Sequence, residues 1–522
     1  MSKDKEKSQQ NKKPAGSFLD KLLGLVAALG VLASTAITFR YVVRLQHMIS
    51  SDGDFFAGNS IWLKVQTTLA KLFGMDVVSF THSVFSVVFV VAVCILYFVP
   101  AYSQDYKQTG LPVCYITTDG HQEIVSKTDY IIAWMTLVDN NDTLLLNVEM
   151  NIRGRGNATW HSYPKKPYKL KFNNNVNILS NYGKHFALLP NYCDKSLMRT
   201  AIGFETCRLL EMDWVPADDF VELVLNGNHL GTYQLAETIR ANKRLIKVEE
   251  TGFLLQYDRF WYADDPNYFF THIYNYPMIV KSPDEDEITD NIFYNIKQTM
   301  NAFESALASN SYLWDIIDIE SFSKWYYASN ILMLIDPNYY FFKKDNTEEK
   351  LINMGPLWDF EWSLGIGWYD GVERPNPNHT LLDSCYFRQL SQNEYFMNNV
   401  RNIHNKYGKL IRNEILNYYD ILYEKLKESQ KINFVLWPIL NQRISVGAYP
   451  LGSWEAEVEC DKSFFKVHYN FLDTYFNSES MIEELQSPNL KNQFIYTIGG
   501  QRINSDMIRK GVYILGKRKV VK

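Results

Sequence analysis

Polar and apolar positions follow three successive patterns along this chain. Residues 1–16 are rich in Lys, Gln, Ser and Asp, which predicts a disordered tail. Leu22–Phe39 then runs for eighteen residues without a charge. As a helix rising 1.5 Å per residue it spans about 27 Å, close to a bilayer core. A second uncharged run, Val77–Tyr102, is longer and is strongly apolar from Val84 to Pro100. The two runs predict a transmembrane region over 17–104, with helices at about 20–40 and 78–100. From Leu111 the pattern changes to β-branched runs broken by turn residues, at Pro112–Thr117, Tyr130–Leu137 and Leu144–Arg153. This is the signature of an antiparallel sheet.

Further strands are expected at Lys165–Phe172, Gly252–Asp258, Asn338–Lys343 and Lys350–Met354. Asn226-Gly227 between Phe220–Leu225 and His229–Leu235 predicts a hairpin with a type I′ turn. Apolar residues at helical spacing predict helices over 197–210, 283–307, 318–334, 391–428 and 462–476. The end of the chain, 485–522, reads as a small β appendage.

Composition adds limits. The chain of 522 residues is 46% apolar and 21% charged, a globular balance. A net charge of −5 gives no electrostatic support to a nucleic-acid partner. None of the six cysteines forms a Cys-x-x-Cys pair, so they read as thiols rather than as a zinc ribbon or disulfide scaffold. Lysines at 3, 5, 7, 12, 13 and 21 place the N-terminus in the cytoplasm by the positive-inside tendency. A two-pass hairpin then returns the main domain to the cytoplasm.

The chemistry concentrates in a few segments. In Leu351–Gly365, Asp359 and Glu361 are two apart and share one side of an extended backbone. Trp358, Phe360 and Trp362 take the other side. Two carboxylates roughly 5 Å apart repel by about 3 kcal/mol at an effective dielectric near 20. A hard cation removes that repulsion, and Mg²⁺ typically takes one or two carboxylates plus phosphate oxygens. A solvated turn after a buried strand is the plainer alternative. In Arg153-Gly-Arg-Gly-Asn, two glycines between basic residues let backbone amides approach a phosphate, or simply make a tight turn. Lys169 and Lys171 share one strand face, which suits a polyphosphate or a solvated face equally.

Arg153–Trp160 with Lys165–Phe172, then Leu197-Met198-Arg199, Phe220–Glu237, Gly252–Asp258, Asp336–Phe342 and Gly355–Gly365 follow one another in the order seen in the CotH family. These are spore-coat-protein-H-like proteins, and the resemblance covers roughly residues 110–477. It implies an α+β fold: an atypical protein-kinase-like domain with an antiparallel sheet and a helical lobe, here preceded by the two transmembrane helices. It further implies ATP, Mg²⁺ or Mn²⁺, and transfer of the γ-phosphoryl group to Ser or Thr of a protein substrate. On this resemblance Asp336 is the catalytic acid. Asp359 and Glu361 face the metal. Arg153, Lys169, Lys171 and Glu237 face the nucleotide, with Glu237 able to pair with the lysine.

The sequence departs from the family pattern at four places. Glu361 stands where Asp is usual, Leu334 and Thr200 where Asn is usual, and Gln256 where Glu is usual. These departures set out two alternatives: an inert surface or envelope interaction protein of the same fold, and nucleotidyl transfer by the same site. Ile495–Ile503 and Lys510–Val521 are similar to the C-terminal segments of many exported Bacteroidota proteins, which favours an extracytoplasmic domain against the charge rule.

Overall fold

The computed structural model describes residues 106–486, apart from 140–141, 180, 242–247, 249–250, 261, 346–349, 370–371, 374 and 381–384, and the strand residues 495–497, 502–503, 512–515 and 518–521. The predicted tail over 1–16 and both predicted membrane spans lie outside the described residues. Among the described residues, no helix is long and apolar enough to cross a membrane. The five cysteines described there are all free thiols.

The first half of the domain contains β1 (Val113–Thr118), β2 (Ile131–Asp139), β3 (Asp142–Gly154), α1 (Ala158–Ser162), β4 (Tyr168–Ile178), β5 (Asn181–Leu189), α2 (Arg199–Leu209), β6 (Asp218–Leu225) and β7 (Asn228–Glu237). The expected antiparallel sheet is here a closed barrel, in the order β1-β2-β3-β4-β5-β7-β6. Its closing pair, β1 with β6, is parallel. Strand alternation sends Ile152, Leu170, Phe186, Leu188 and Leu235 into the barrel core. The β6–β7 turn has φ of 49° at Asn226 and 79° at Gly227, the left-handed pair that a type I′ turn requires. Strand β5 was not among the predicted strands, because its Asn-Tyr-Gly-Lys-His start carries no apolar alternation.

A second antiparallel sheet has the order β12-β11-β8-β10-β9. Its strands are β8 (Phe253–Tyr257), β9 (Tyr268–Phe270), β10 (Pro277–Ser282), β11 (Tyr339–Lys343) and β12 (Asn353–Met354). Between β10 and β11 lie α3 (Asp290–Ser309) and α4 (Ile319–Ile331). Helix α3 starts seven residues later than its predicted position at 283. Strand β10 continues to Ser282, and the Thr289 hydroxyl caps the helix by accepting from the amide of Ile292 at 3.3 Å. The rest of the chain is mainly helical: α5 (Phe387–Leu390), α6 (Glu394–Leu426), α7 (Ser429–Leu436) and α8 (Trp454–Gln486). Residues 495–521 contribute a four-stranded antiparallel sheet.

One continuous apolar core joins the parts. It begins on the outer face of the barrel at Ala187, Leu189, Phe220 and Ala236. It then passes through Phe253, Leu255 and Phe341 of the second sheet to Trp325, Phe387, Ile411 and Phe465 of the helices. Trp325 stacks on Phe387 with ring centroids 4.7 Å apart and planes 2° off parallel. Helix α7 is fixed to the barrel by a buried lysine: Lys165 Nζ donates to the carbonyl of Pro190 at 2.9 Å and to Asn433 Oδ1 at 2.9 Å. The outer face of the barrel is therefore apolar where helices cover it. Beyond that cover, on β3 and β4, it is basic.

Candidate functional site

Two loops form the acidic half of the site. One follows α4 and holds Asp336; the other follows β12 and holds Asp359 and Glu361. Three backbone hydrogen bonds run antiparallel between them: Leu364 N to Leu332 O at 2.8 Å, Ile335 N to Trp362 O at 3.0 Å, and Asn338 N to Trp358 O at 3.4 Å. This stitching brings Asp336 and Asp359, twenty-three positions apart in the chain, onto one side of the molecule. The negative charge of Asp336 acts on Asp359.

The loop around Asp359 is not the extended segment that the two-residue spacing predicted. Asp359 has φ of +74°, in the left-handed region, and Leu364 has φ of +49°. Alternation fails at a left-handed residue, so Asp359 and Glu361 become neighbours through the loop's fold and not through strand geometry. Such conformations persist only where surrounding contacts hold them. Phe360 is fully buried against α2, edge-on to Phe204 at 5.3 Å, and Trp358 lies 5.5 Å from the same ring. Gly203 makes room for it: a Cβ there would fall 2.3 Å from the Phe360 ring. From below, Arg199 Nε donates to the carbonyl of Ser363 at 3.0 Å and its Nη2 to that of Leu364 at 3.3 Å. Arg199 is itself held by Asp194 at 2.5 Å and Asp461 at 3.5 Å.

Asp359 is open to solvent, yet protein crowds round it as it does round a group on the floor of a cleft. That crowding, with the charge of Asp336, pushes its carboxyl up to about 6. Burial first, then the charges of Asp359 and Asp194, push Glu361 up to about 8. Asp336 is raised as well, by desolvation. Asn338 Nδ2 donates to Asp359 Oδ2 at 3.2 Å, and Gln256 Nε2 donates to Asn338 Oδ1 at 3.1 Å. Among the described residues, no group of three or more His, Cys, Asp and Glu is arranged to hold a metal by itself.

The basic half comes from the barrel. Register pairs Arg153 with Lys169, Lys169 with Ala187, and Ala187 with Ala236, a row on the outer face. The next row along the strands is Asn151, Lys171 and His185. Burial and the charges of Arg153, Arg240, Arg155 and Lys281 lower Lys169 to about 7. Arg153 Nε is buried without a hydrogen-bond partner. Arg155 leads toward the acids: its guanidinium lies over the Trp358 ring at 5.3 Å, and it offsets the charges of Asp359 and Glu361. The turn that carries it needs Gly154, where a Cβ would fall 2.5 Å from the Trp160 ring.

The structure thus gathers Asp336, Asp359 and Glu361 at one pole with Arg155 beside them, and sets Arg153, Lys169 and Lys171 in rows on the outer face of the barrel. Glu237 is placed apart from the lysines. Its register partner is Phe186, which points into the barrel, so it shares that face and not the face of Lys169. Buried there, its Oε2 accepts from the amide of Ala217 at 3.1 Å.

Three residues of the site were not singled out from the sequence: Arg155, Asn338 and Gln256. Arg155 stood in view between the two glycines, and Asn338 two residues past Asp336. Gln256 had been noted only as a departure, yet it orients the amide that holds Asp359.

The model of the family described as CotH kinase protein matches residues 152–484 of this chain. No curated protein matches it.

Proposed function

The chain belongs to the CotH kinase family, and on that premise we propose that it transfers the γ-phosphoryl group of ATP to a Ser or Thr hydroxyl of a protein acceptor, with Mg²⁺ or Mn²⁺. The observation that carries this reading is the pairing of Asp336 and Asp359 on stitched loops, with Arg155 beside them. Phosphoryl transfer is mostly positioning and charge stabilisation, and this division of charge is what it uses.

The residues present fit a metal–triphosphate. Three carboxyl groups raise one another's proton affinity or lose solvation together, a situation relieved by a cation. Arg153 has a buried donor without an acceptor. Bound there, a divalent cation with the triphosphate supplies neutralisation of the charge on the transferring group. Asp359 and Glu361 would hold the metal; Arg153, Arg155 and Lys169 would hold phosphate oxygens. Asp336 accepts the proton of the acceptor hydroxyl, a role helped by its raised proton affinity. Asn338 keeps Asp359 in place, and Gln256 keeps Asn338 in place. The departure at Gln256 is thus compatible with an intact site, which supports activity over an inert fold.

The uncharged runs Leu22–Phe39 and Val77–Tyr102 support a membrane anchor, and dependence on ATP favours a cytoplasmic domain. The test incubates the full-length protein with ATP labelled at the γ or at the α position, with Mg²⁺ or Mn²⁺. Label from the γ position alone supports the reading. Label from the α position would mean nucleotidyl transfer, and no label with either metal would leave the inert alternative.

A further inference from the structure

The proposed transfer leaves part of the barrel's positive charge without a task. Beyond Arg153 and Lys169, the next outer row carries Lys171 and His185, about 7 Å further along the strands. Arg153 and Lys171 both approach the Tyr130 ring, at 4.9 and 5.9 Å from its centroid. His185 lies in the field of Arg240, Lys169, Lys171 and Lys184, and its Nδ1 is a buried atom with no hydrogen-bond partner. Burial and those four charges together push the imidazole down to about 3, so it stays neutral and offers hydrogen bonds only. Among the described residues, Arg240 has one ion pair, a 3.5 Å contact with exposed Asp284. Lys171 and Lys184 have no carboxylate partner among the described residues.

Charge therefore changes in steps from the acidic loops along the barrel strands. The acids come first, then Arg155 beside them, then the row of Arg153 with Lys169, then Lys171 paired with His185, on which the charges of Lys184 and Arg240 also act. A triphosphate tied to the acids through a metal is matched by Arg155, Arg153 and Lys169. Among the described residues Lys171 and Lys184 have no carboxylate partner and Arg240 only the exposed Asp284, an arrangement that an anionic ligand stabilises. The ligand is local and not an extended polyanion, because the chain as a whole carries a net charge of −5.

We infer that Lys171, Lys184 and Arg240, around His185, receive an acidic stretch of the acceptor protein: Asp, Glu or phosphoserine side chains close to the hydroxyl that is phosphorylated. The inference rests on the kinase reading, and it names the class of substrate that the site selects.

The test uses the full-length chain in mild detergent and fluorescein-labelled peptides with one Ser. In one peptide the Ser is flanked by Glu and phosphoserine, in a second by Ala and Gly, in a third by Lys. Anisotropy is expected to give about tenfold tighter binding of the acidic peptide than of the neutral one. That preference is expected to fade as salt rises through 0.1 M, where the screening length is about 10 Å. The double variant Lys184→Glu/Arg240→Glu is expected to lose the preference while keeping the rise in Tm produced by ATP and Mn²⁺.

Equal binding of the acidic and neutral peptides overturns the inference. So does a preference that survives the double reversal, or a single-stranded DNA of equal charge bound as tightly as the acidic peptide. Selective binding of the acidic peptide without transfer of γ-label upholds the basic row and overturns the kinase reading instead.

Discussion

Asn338 Nδ2 lies 3.2 Å from Asp359 Oδ2, and the amide of Asn338 is itself fixed at its other end by Gln256 at 3.1 Å. One carboxylate oxygen of Asp359 is thereby aimed before any ligand arrives. Removing a group that orients a metal ligand typically weakens metal binding tenfold to a hundredfold. Asn338→Ala is expected to do so here, and Gln256→Ala to do so less. Mn²⁺ titration followed by electron paramagnetic resonance measures both; an unchanged affinity in Asn338→Ala would deny the amide this role.

Asp336 and Asp359 are expected to separate under mutation. Asp359→Asn removes the proposed metal ligand, so both γ-label transfer and the ATP–Mn²⁺ rise in Tm are expected to disappear. Asp336→Asn removes the proposed proton acceptor, so label transfer is expected to drop by about 10²–10⁴ while the Tm rise remains. Loss of nucleotide binding in Asp336→Asn would move that residue from proton transfer to binding.

The raised carboxyl groups give a pH dependence with a definite sign. Glu361 at about 8 and Asp359 at about 6 lie above their ordinary values. The folded protein therefore binds more protons than the unfolded chain between the ordinary carboxylate range and pH 8. These two groups favour the folded state at low pH, and that contribution is lost as pH rises through about 6 and then about 8. The ligand-free protein is expected to lose Tm over this range. Mn²⁺ affinity is expected to climb over the same range, because binding displaces the protons. Calorimetry in buffers of different ionisation enthalpy counts those protons, and none released at pH 6.5 would contradict the assignment.

Gly203 lies on the far side of α2 from solvent, beneath Phe360, with no space for a methyl group. Overpacking a filled core typically costs 1–3 kcal/mol. Gly203→Ala is expected to destabilise the fold by about 2 kcal/mol in urea unfolding, and to weaken Mn²⁺ binding because Phe360 neighbours Asp359. A destabilised variant with unaltered Mn²⁺ affinity would show that Phe360 anchors the core but not the site.

The sequence made the parts of the site visible more readily than their assembly. Lys169 and Lys171 share a face by simple period-two alternation, and the structure has them so. The same alternation misled at Asp359, where a left-handed residue interrupts the backbone. Glu237 could be matched to a segment but not to a face: its parity relative to Lys169 depends on the register of β4, β5 and β7, which no local pattern encodes. Asn338 and Gln256 stand eighty-two positions apart, and only the pairing of β8 with β11 makes them neighbours. Strands β9 and β10 passed unnoticed for local reasons: Tyr-Phe-Phe is too short to show a period, and Pro-Met-Ile-Val is apolar throughout and does not alternate.

The parallel junction of β1 with β6 turns a sheet into a ring. Where its strands are paired on both sides, a ring has no free rim of amides and carbonyls, so an incoming polypeptide cannot lengthen it there by lying alongside as one more strand. Whatever docks on that closed stretch is read by side chains, which leaves charge and shape as its means of choosing.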